Sequence, residues 1–175
     1  LAALYGGALA AALLREQASA EAAVAKALEL LGGRAKPAPA AERDFKLLQA
    51  QLWLQGGAAA RAIQLLDAPA MQPPTRPSML LRAQAALVLW QGVVATADPP
   101  CAGLPSPAPP AAVVVCGTRD QALKLLRQSA EALQTWLSIH TTDPLAWGLL
   151  AQAEEVQGQR LRAMRAQAEA RAALG

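Results

Sequence analysis

The residue types that most often perform chemistry in proteins are scarce in this chain. It contains one histidine, His140, and two cysteines, Cys101 and Cys116. A catalytic zinc site needs two imidazoles and a carboxylate base on one helix face, and a Ser-His-Asp or Cys-His relay would need His140 as its base. Nothing in the local sequence places His140 beside either cysteine. We therefore expect no catalytic activity and no cofactor in this segment.

Phosphate-binding loops and paired catalytic carboxylates are not indicated either. The pairs Gly6-Gly7, Gly32-Gly33 and Gly56-Gly57 follow no strand pattern, which a phosphate-binding loop requires. Glu154 and Glu155 are neighbours, and on a helix neighbours point about 100° apart, so the two cannot share one substrate atom.

The two cysteines bracket a proline-rich segment. Six of the 13 prolines lie between Pro99 and Pro110, and no helical period is visible there. The spacing of Cys101 and Cys116 permits a disulfide, and closing a loop near 15 residues contributes about 3 kcal/mol in the chain-entropy model. In a reducing cytosol the two thiols would stay open, so this bridge is expected only in an exported protein.

The composition predicts an all-α fold. The chain has 175 residues, which indicates one domain or one compact array. Hydrophobic residues make up 54% of it but aromatic residues only 3%, and Ala and Leu, which favour helices, are abundant. The lack of branched and aromatic residues disfavours a β-sandwich or barrel.

Charge and hydropathy exclude two classes of partner. The net charge of +3 is spread along the chain, and Glu169 interrupts the arginines of the last predicted helix, so we expect no nucleic-acid binding. No run reaches the roughly 18 uninterrupted apolar residues that a membrane-spanning helix requires. The chain starts without Met and stops within a helical pattern, so we expect it to be a piece of a longer protein.

Apolar residues recur at helical spacing along most of the chain. Asp143-Pro144 is a strong helix start, because Asp caps free N–H groups and Pro suits the first turn. A proline-rich insertion is expected at 93–118. The predicted helices span 1–14, 18–31, 41–55, 58–68, 77–92, 119–140, 144–157 and 159–174.

A short motif recurs in three of these helices. The motif is Leu-x-Ala-Gln, and the alanines of its three copies are Ala50, Ala83 and Ala151. Gly57 lies seven residues after Ala50, and Gly158 lies seven residues after Ala151. Another alanine lies twelve residues after Ala50, and another lies twelve residues after Ala151. Small residues at these points let two antiparallel helices approach closely, and a glycine between them permits a tight reversal.

This pattern resembles the tetratricopeptide repeat, a helix-turn-helix unit of 34 residues. The best-matching unit contains Trp147, Ala151, Gly158 and Ala163, and it departs from the family at Glu154, where an aromatic residue is usual. The resemblance implies an α-solenoid of about eight helices forming a single array over 1–175. Its units are predicted at about 1–36, 41–76, 77–142 (split by the insertion 93–118) and 143–175.

A narrower resemblance concerns the last third of the chain. Residues 130–137, 143–147, 158–163 and 167–171 are similar to the C-terminal repeat region of bacterial periplasmic zinc metalloproteases, relatives of the β-barrel assembly-enhancing protease. The resemblance implies a periplasmic location and partners in outer-membrane assembly or the parent's own protease domain. It also implies that zinc is held only by an HExxH domain outside this segment. The alternatives are a free-standing repeat lipoprotein or scaffold for pilus or outer-membrane assembly and, less favoured, a cytoplasmic regulator.

The same resemblance implies where a partner binds. In tetratricopeptide arrays the first helix of each unit lines a concave groove, and the position after the small alanine points into it. Glutamine occupies that position in three units, and an amide can donate to and accept from a peptide backbone. The cationic and Asn side chains that clamp a terminal carboxylate in some family members are missing, so the expected ligand is an extended polypeptide. The predicted groove residues are Tyr5, Leu47, Gln51, Leu80, Gln84, Gln152 and Glu155.

Overall fold

The computed structural model describes residues 17–32, 39–96 and 110–175. These residues form seven α-helices and one short 3-10 helix, with no strand among them, which confirms the predicted all-α class. The helices are α1 (Gln17–Gly32), α2 (Pro39–Gln55), α3 (Ala59–Leu66), α4 (Arg76–Thr96), α5 (Pro110–Leu137), α6 (Pro144–Val156) and α7 (Arg160–Ala172), and the 3-10 helix spans Pro69–Met71.

The chain divides into two compact units, Leu1–Leu81 and Arg82–Gly175. In the first unit α1 packs on α2, and α2 packs on α3. The apolar residues between α1 and α2 recur at three- and four-residue steps, as a helix face requires. They bury Ala20, Val24, Ala27, Leu31, Phe45, Leu48 and Leu52 in one core.

Two polar contacts organise the end of the first unit. The Arg43 guanidinium of α2 donates to the carbonyl of Gln72 at 2.9 Å, which ties α2 to the segment after the 3-10 helix. At the start of α4 the buried Ser78 hydroxyl accepts from the N–H of Thr75 at 2.8 Å. This contact satisfies an N–H group at the helix start, so α4 begins where its own side chains cap it.

In the second unit α5 packs on α6, and α6 packs closely on α7. Arg82 of α4 donates to the buried Ser129 hydroxyl of α5 at 2.8 Å. The guanidinium of Arg119 lies 5.4 Å from the ring centre of Trp90, within cation–π range. These contacts join α4 to α5, although 97–109 lie between them in the chain.

The turns between α2 and α3 and between α6 and α7 are built in the same way. In the first, Gly57 has φ +79° and the N–H of Ala58 bonds to the Trp53 carbonyl at 2.7 Å. In the second, Gly158 has φ +75° and the N–H of Gln159 bonds to the Glu154 carbonyl at 2.9 Å. Both are Schellman turns, in which a left-handed glycine ends the helix and the chain reverses.

The buried alanines follow the same register in both hairpins. Ala50 and Ala62 flank the first turn, and Ala151 and Ala163 flank the second; none of the four is more than 4% exposed. The glycine reversals and small residues predicted from sequence are therefore confirmed at both positions. α7 buries only two side chains, Ala163 and Ala166, so close backbone approach rather than large apolar side chains holds it.

Most predicted helix ends agree with the structure within two residues, and three ends differ by more. The helix predicted to end at 140 ends at Leu137. α4 extends to Thr96 and α5 begins at Pro110, so the outer parts of the expected insertion 93–118 are helical. The centre of that insertion, and the predicted helix at 1–14, lie outside the described residues. Asp143 caps α6 as predicted, with its Oδ1 accepting from the N–H of Ala146 at 3.3 Å and Pro144 in the first turn.

Alanine substitution should affect the glycines in opposite directions. Gly57→Ala and Gly158→Ala force a Cβ into a left-handed backbone, which costs about 1–2 kcal/mol. Gly148 lies within α6, and a Cβ added there has nothing within 4 Å of it. Gly148→Ala should therefore raise the free energy of unfolding by about 0.5–1 kcal/mol. Thermal melts followed by circular dichroism measure both effects. A Gly148→Ala variant that melts no higher than Gly158→Ala would contradict the turn geometry.

Candidate functional site

The three glutamines of the predicted groove occupy equivalent local positions. Gln51, Gln84 and Gln152 are all exposed, and each directly follows an alanine that is at most 2% exposed. Gln51 belongs to the first compact unit, and Gln84 and Gln152 belong to the second. Each side chain can therefore reach solvent or a partner, while a single row of all three stays a prediction.

The other groove residues vary in exposure. Leu47 and Leu80 are half-buried, and Glu155 is exposed. Tyr5 lies outside the described residues. Within α6, Glu155 is three residues from Gln152, so the two side chains lie on one side of that helix.

The expected disulfide is not tested by the structure. Cys101 lies outside the described residues, whereas Cys116 lies within α5. The placement of Cys116 corrects the expectation that both cysteines belong to one irregular loop. Their pairing stays a prediction.

A polar cluster closes the connection between α5 and α6. His140 lies in the turn after α5 and stacks on Trp136, with ring centres 3.6 Å apart and planes 7° apart. The indole N–H of Trp136 donates to Oδ2 of Asp143 at 3.2 Å, while Oδ1 of the same carboxylate caps α6. Asp143 is 8% exposed. The cluster therefore fixes where α6 begins relative to the end of α5.

A cleft of about 530 Å³ opens in the second unit. The end of α5, the turn after it, α6 and α7 all contribute residues to its lining. Its apolar lining includes Leu137, Leu150 and Trp147. The indole N–H of Trp147 donates to the carbonyl of Thr141 at 2.8 Å, so this ring is held in place at the cleft wall.

The carboxylate of Glu154 is the buried polar group of this cleft. Glu154 is 3% exposed, and its Oε1 accepts from Nε2 of Gln134 at 2.7 Å. Its Oε2 is buried and makes no hydrogen bond with any residue that the structure describes. A buried carboxylate oxygen without a donor is costly, because desolvation is not compensated. We name this feature, whose lining includes Glu154, the Glu154 cleft.

Charged side chains from α7 complete the cleft. Arg162 and Arg165 line it from exposed positions, and Glu169 lines it from a half-buried one. With Glu154, the lining contains two carboxylates and two guanidinium groups. Two of the arginines of the last predicted helix thus border a cavity, which the helical pattern of α7 alone does not indicate.

The described residues offer few other chemical sites. Among them, no group of three or more His, Cys, Asp or Glu side chains lies close enough to hold a metal ion. The sequence singled out Glu154 as a departure from the usual aromatic residue and as half of a carboxylate pair that cannot share a substrate atom, but not as a buried group. Its burial depends on α5 and α7, both of which contribute to the cleft lining beside it, and this information is tertiary.

In the part of the chain that the structure describes, one helix has the length and composition of a membrane span. The stretch Arg76–Ala95 has a mean hydropathy of 1.3 over its best window, a third of which is buried in the structure. Core helices of water-soluble proteins have the same properties, so this observation is weak evidence for a membrane. Arg82, within this stretch, donates to Ser129 of α5.

Comparison with known proteins adds no relative. No protein family, curated protein or solved structure matches this chain. The function must therefore be argued from the residues and their geometry.

Proposed function

We propose that this chain is a tetratricopeptide-like module that binds other proteins and performs no catalysis itself. The observation that supports it is the pair of hairpins whose Schellman turns and buried alanines share one register. In helical-repeat proteins, stacked hairpins of this kind present extended surfaces to polypeptide partners. The proposed architecture is an α-solenoid of helix pairs over 1–175.

The proposed binding groove contains the three exposed glutamines. Gln51, Gln84 and Gln152 follow buried alanines and leave their amides accessible. An amide donates to a peptide carbonyl and accepts from a peptide N–H, whereas the half-buried Leu47 and Leu80 offer apolar contact. An extended segment of a partner, or a loop of the parent's own protease domain, fits this chemistry.

The proposed setting is the bacterial periplasm, in a zinc metalloprotease that acts in outer-membrane protein quality control. The resemblance of residues 130–137, 143–147, 158–163 and 167–171 to the repeat region of such proteases supports it. In this proposal zinc and catalysis belong to a domain outside this chain. An HExxH motif upstream in the full gene would support it, and a lipobox cysteine there would favour a free-standing lipoprotein of pilus or outer-membrane assembly.

Replacing the three glutamines together tests the groove. Gln51→Ala, Gln84→Ala and Gln152→Ala in one variant should leave the melting temperature nearly unchanged, because exposed helix substitutions stay within about 0.5 kcal/mol. The same variant should lose at least about tenfold in affinity if each amide contributes a typical hydrogen bond. Fluorescence anisotropy measures this affinity, with a labelled polypeptide as the ligand that is reduced and carboxymethylated so that it stays extended.

A matched control uses three other exposed glutamines. Gln64, Gln121 and Gln167 lie on α3, α5 and α7, which would be the second helices of their units. Their triple alanine variant should bind the polypeptide as the wild type does. If both triple variants bind the polypeptide with the same affinity as the wild type, the groove glutamines do not take part in binding. That result would contradict the proposed site.

A further inference from the structure

The Glu154 cleft lies on a different side of α6 from the proposed groove. Gln152 and Glu154 are two residues apart, which separates their side chains by about 200° around a helix. Gln152 is exposed, whereas Glu154 is buried against α5 and α7 and lines the cleft. The cleft therefore needs an explanation of its own, independent of polypeptide binding in the groove.

We infer that the Glu154 cleft is a binding site for a primary ammonium group at the end of an alkyl chain, the chemistry of a lysine side chain. Oε2 of Glu154 is a buried acceptor without a donor among the described residues. An ammonium group brings three N–H donors and a positive charge to that oxygen. Such a charge-assisted bond compensates the desolvation of the carboxylate.

The geometry favours an ammonium over a guanidinium group. Oε1 of Glu154 already accepts from Gln134, whereas the buried Oε2 has no donor among the described residues. A guanidinium group binds best when both oxygens accept in parallel, whereas an ammonium group acts as a single point donor. The single unpaired oxygen therefore fits a single-point donor.

The walls of the cleft suit the alkyl part of this ligand. Leu137, Leu150 and Trp147 line the space beside Glu154. Lysine buries its methylene stem along apolar surface and places its charge at a polar group. A volume of about 530 Å³ accommodates the whole side chain with room for neighbouring groups.

The arginines of α7 indicate a second group on the ligand. Arg162 and Arg165 are exposed, so solvent screens their repulsion of an incoming ammonium. Both are donors that suit a carboxylate. A ligand with an ammonium at one end and a carboxylate at the other therefore complements the lining better than a simple amine.

Calorimetric titration with three small probes tests this site. The probes are 6-aminohexanoate, which has both charged groups, pentylamine, which has the ammonium alone, and hexanoate, which has the carboxylate alone. We expect 6-aminohexanoate to bind most tightly, pentylamine more weakly and hexanoate not measurably. Glu154→Gln should weaken both amines by about tenfold or more, the usual loss when a hydrogen bond to a charged group is removed.

An exposed glutamate of α5 provides the matched control. Glu131→Gln removes the same charge from a position outside both the cleft and the proposed groove, and it should leave both affinities unchanged. Circular dichroism melts establish that each variant is folded, and Glu154→Leu serves as a second variant if Glu154→Gln does not fold. If a capped Gly-Lys-Gly peptide binds more strongly than 6-aminohexanoate, the natural ligand is a lysine of a polypeptide. If 6-aminohexanoate binds more strongly, the natural ligand is a free zwitterion.

Two results would overturn the inference. The first result has two parts: hexanoate binds and loses its binding in Arg162→Gln or Arg165→Gln, and Glu154→Gln leaves amine binding unaffected. This result would show that the cleft is an anion site instead. Absence of measurable binding of every probe to the folded wild type would show that the buried carboxylate is structural. Because the cleft lining includes none of the groove residues, neither result bears on the proposed polypeptide binding.

Discussion

An Ala151→Leu variant should unfold several degrees below the wild type, with a loss of about 1–3 kcal/mol in the free energy of unfolding. Ala151 is 2% exposed in α6, and α7, packed closely against α6, buries only Ala163 and Ala166. A helix that packs closely through alanines leaves little space for three more carbon atoms at Ala151. The larger side chain must therefore displace α7 or adopt a strained rotamer.

The adjacent position supplies a control for Ala151→Leu. Gln152→Leu introduces the same side chain one residue later, at an exposed site, and should change the stability by no more than about 0.5 kcal/mol. Thermal and urea unfolding of both variants measure the difference. Equal stability of Ala151→Leu and wild type would contradict close packing of α6 on α7.

An Asp143→Ala variant should lose about 2–3 kcal/mol, because one carboxylate has two structural roles. Its Oδ1 caps α6 at Ala146, and its Oδ2 accepts from the indole N–H of Trp136. Alanine leaves a helix start uncapped and removes the partner of the indole N–H. Asp143→Asn keeps one acceptor oxygen and should lose less.

A double-mutant cycle separates the two roles of Asp143. Trp136→Phe removes the indole donor, so Asp143→Ala should cost less in that background by the energy of the Trp136 contact. Asp120→Ala, at an exposed position of α5, is the control for loss of one negative charge and should have little effect. Additive effects of Asp143→Ala and Trp136→Phe would show that the hydrogen bond contributes nothing to stability.

These variants bear on function through the placement of α6. Gln152 of the proposed groove and Glu154 of the ammonium site lie on different sides of this one helix. Asp143 fixes where α6 begins, and Gly158 fixes where the chain turns into α7. A change at either end is therefore expected to alter both surfaces, whereas Gln152→Ala and Glu154→Gln should each affect one.

The sequence by itself determined the features of this protein that depend on neighbouring residues. Apolar periodicity identified the described helices, Gly57 and Gly158 located two reversals because only glycine adopts the left-handed backbone at low cost, and Asp143-Pro144 marked the start of α6. The same local reasoning placed the start of α5 too late, at 119 instead of Pro110. Prolines and the branched run Val113 to Val115 lower helix propensity there, although proline is well suited to a first helical turn.

Only the tertiary structure decided which polar side chains are buried. Glu154 and Glu155 are adjacent and chemically identical, yet Glu154 is buried beside Gln134 and Glu155 is exposed. A helix pattern specifies the angle between two side chains, but burial depends on what other helices place at that angle. Here α5 and α7 both line the cleft on the Glu154 side of α6, and residues far apart in the chain supply the contacts. The Glu154 cleft therefore exists only because those helices pack on α6.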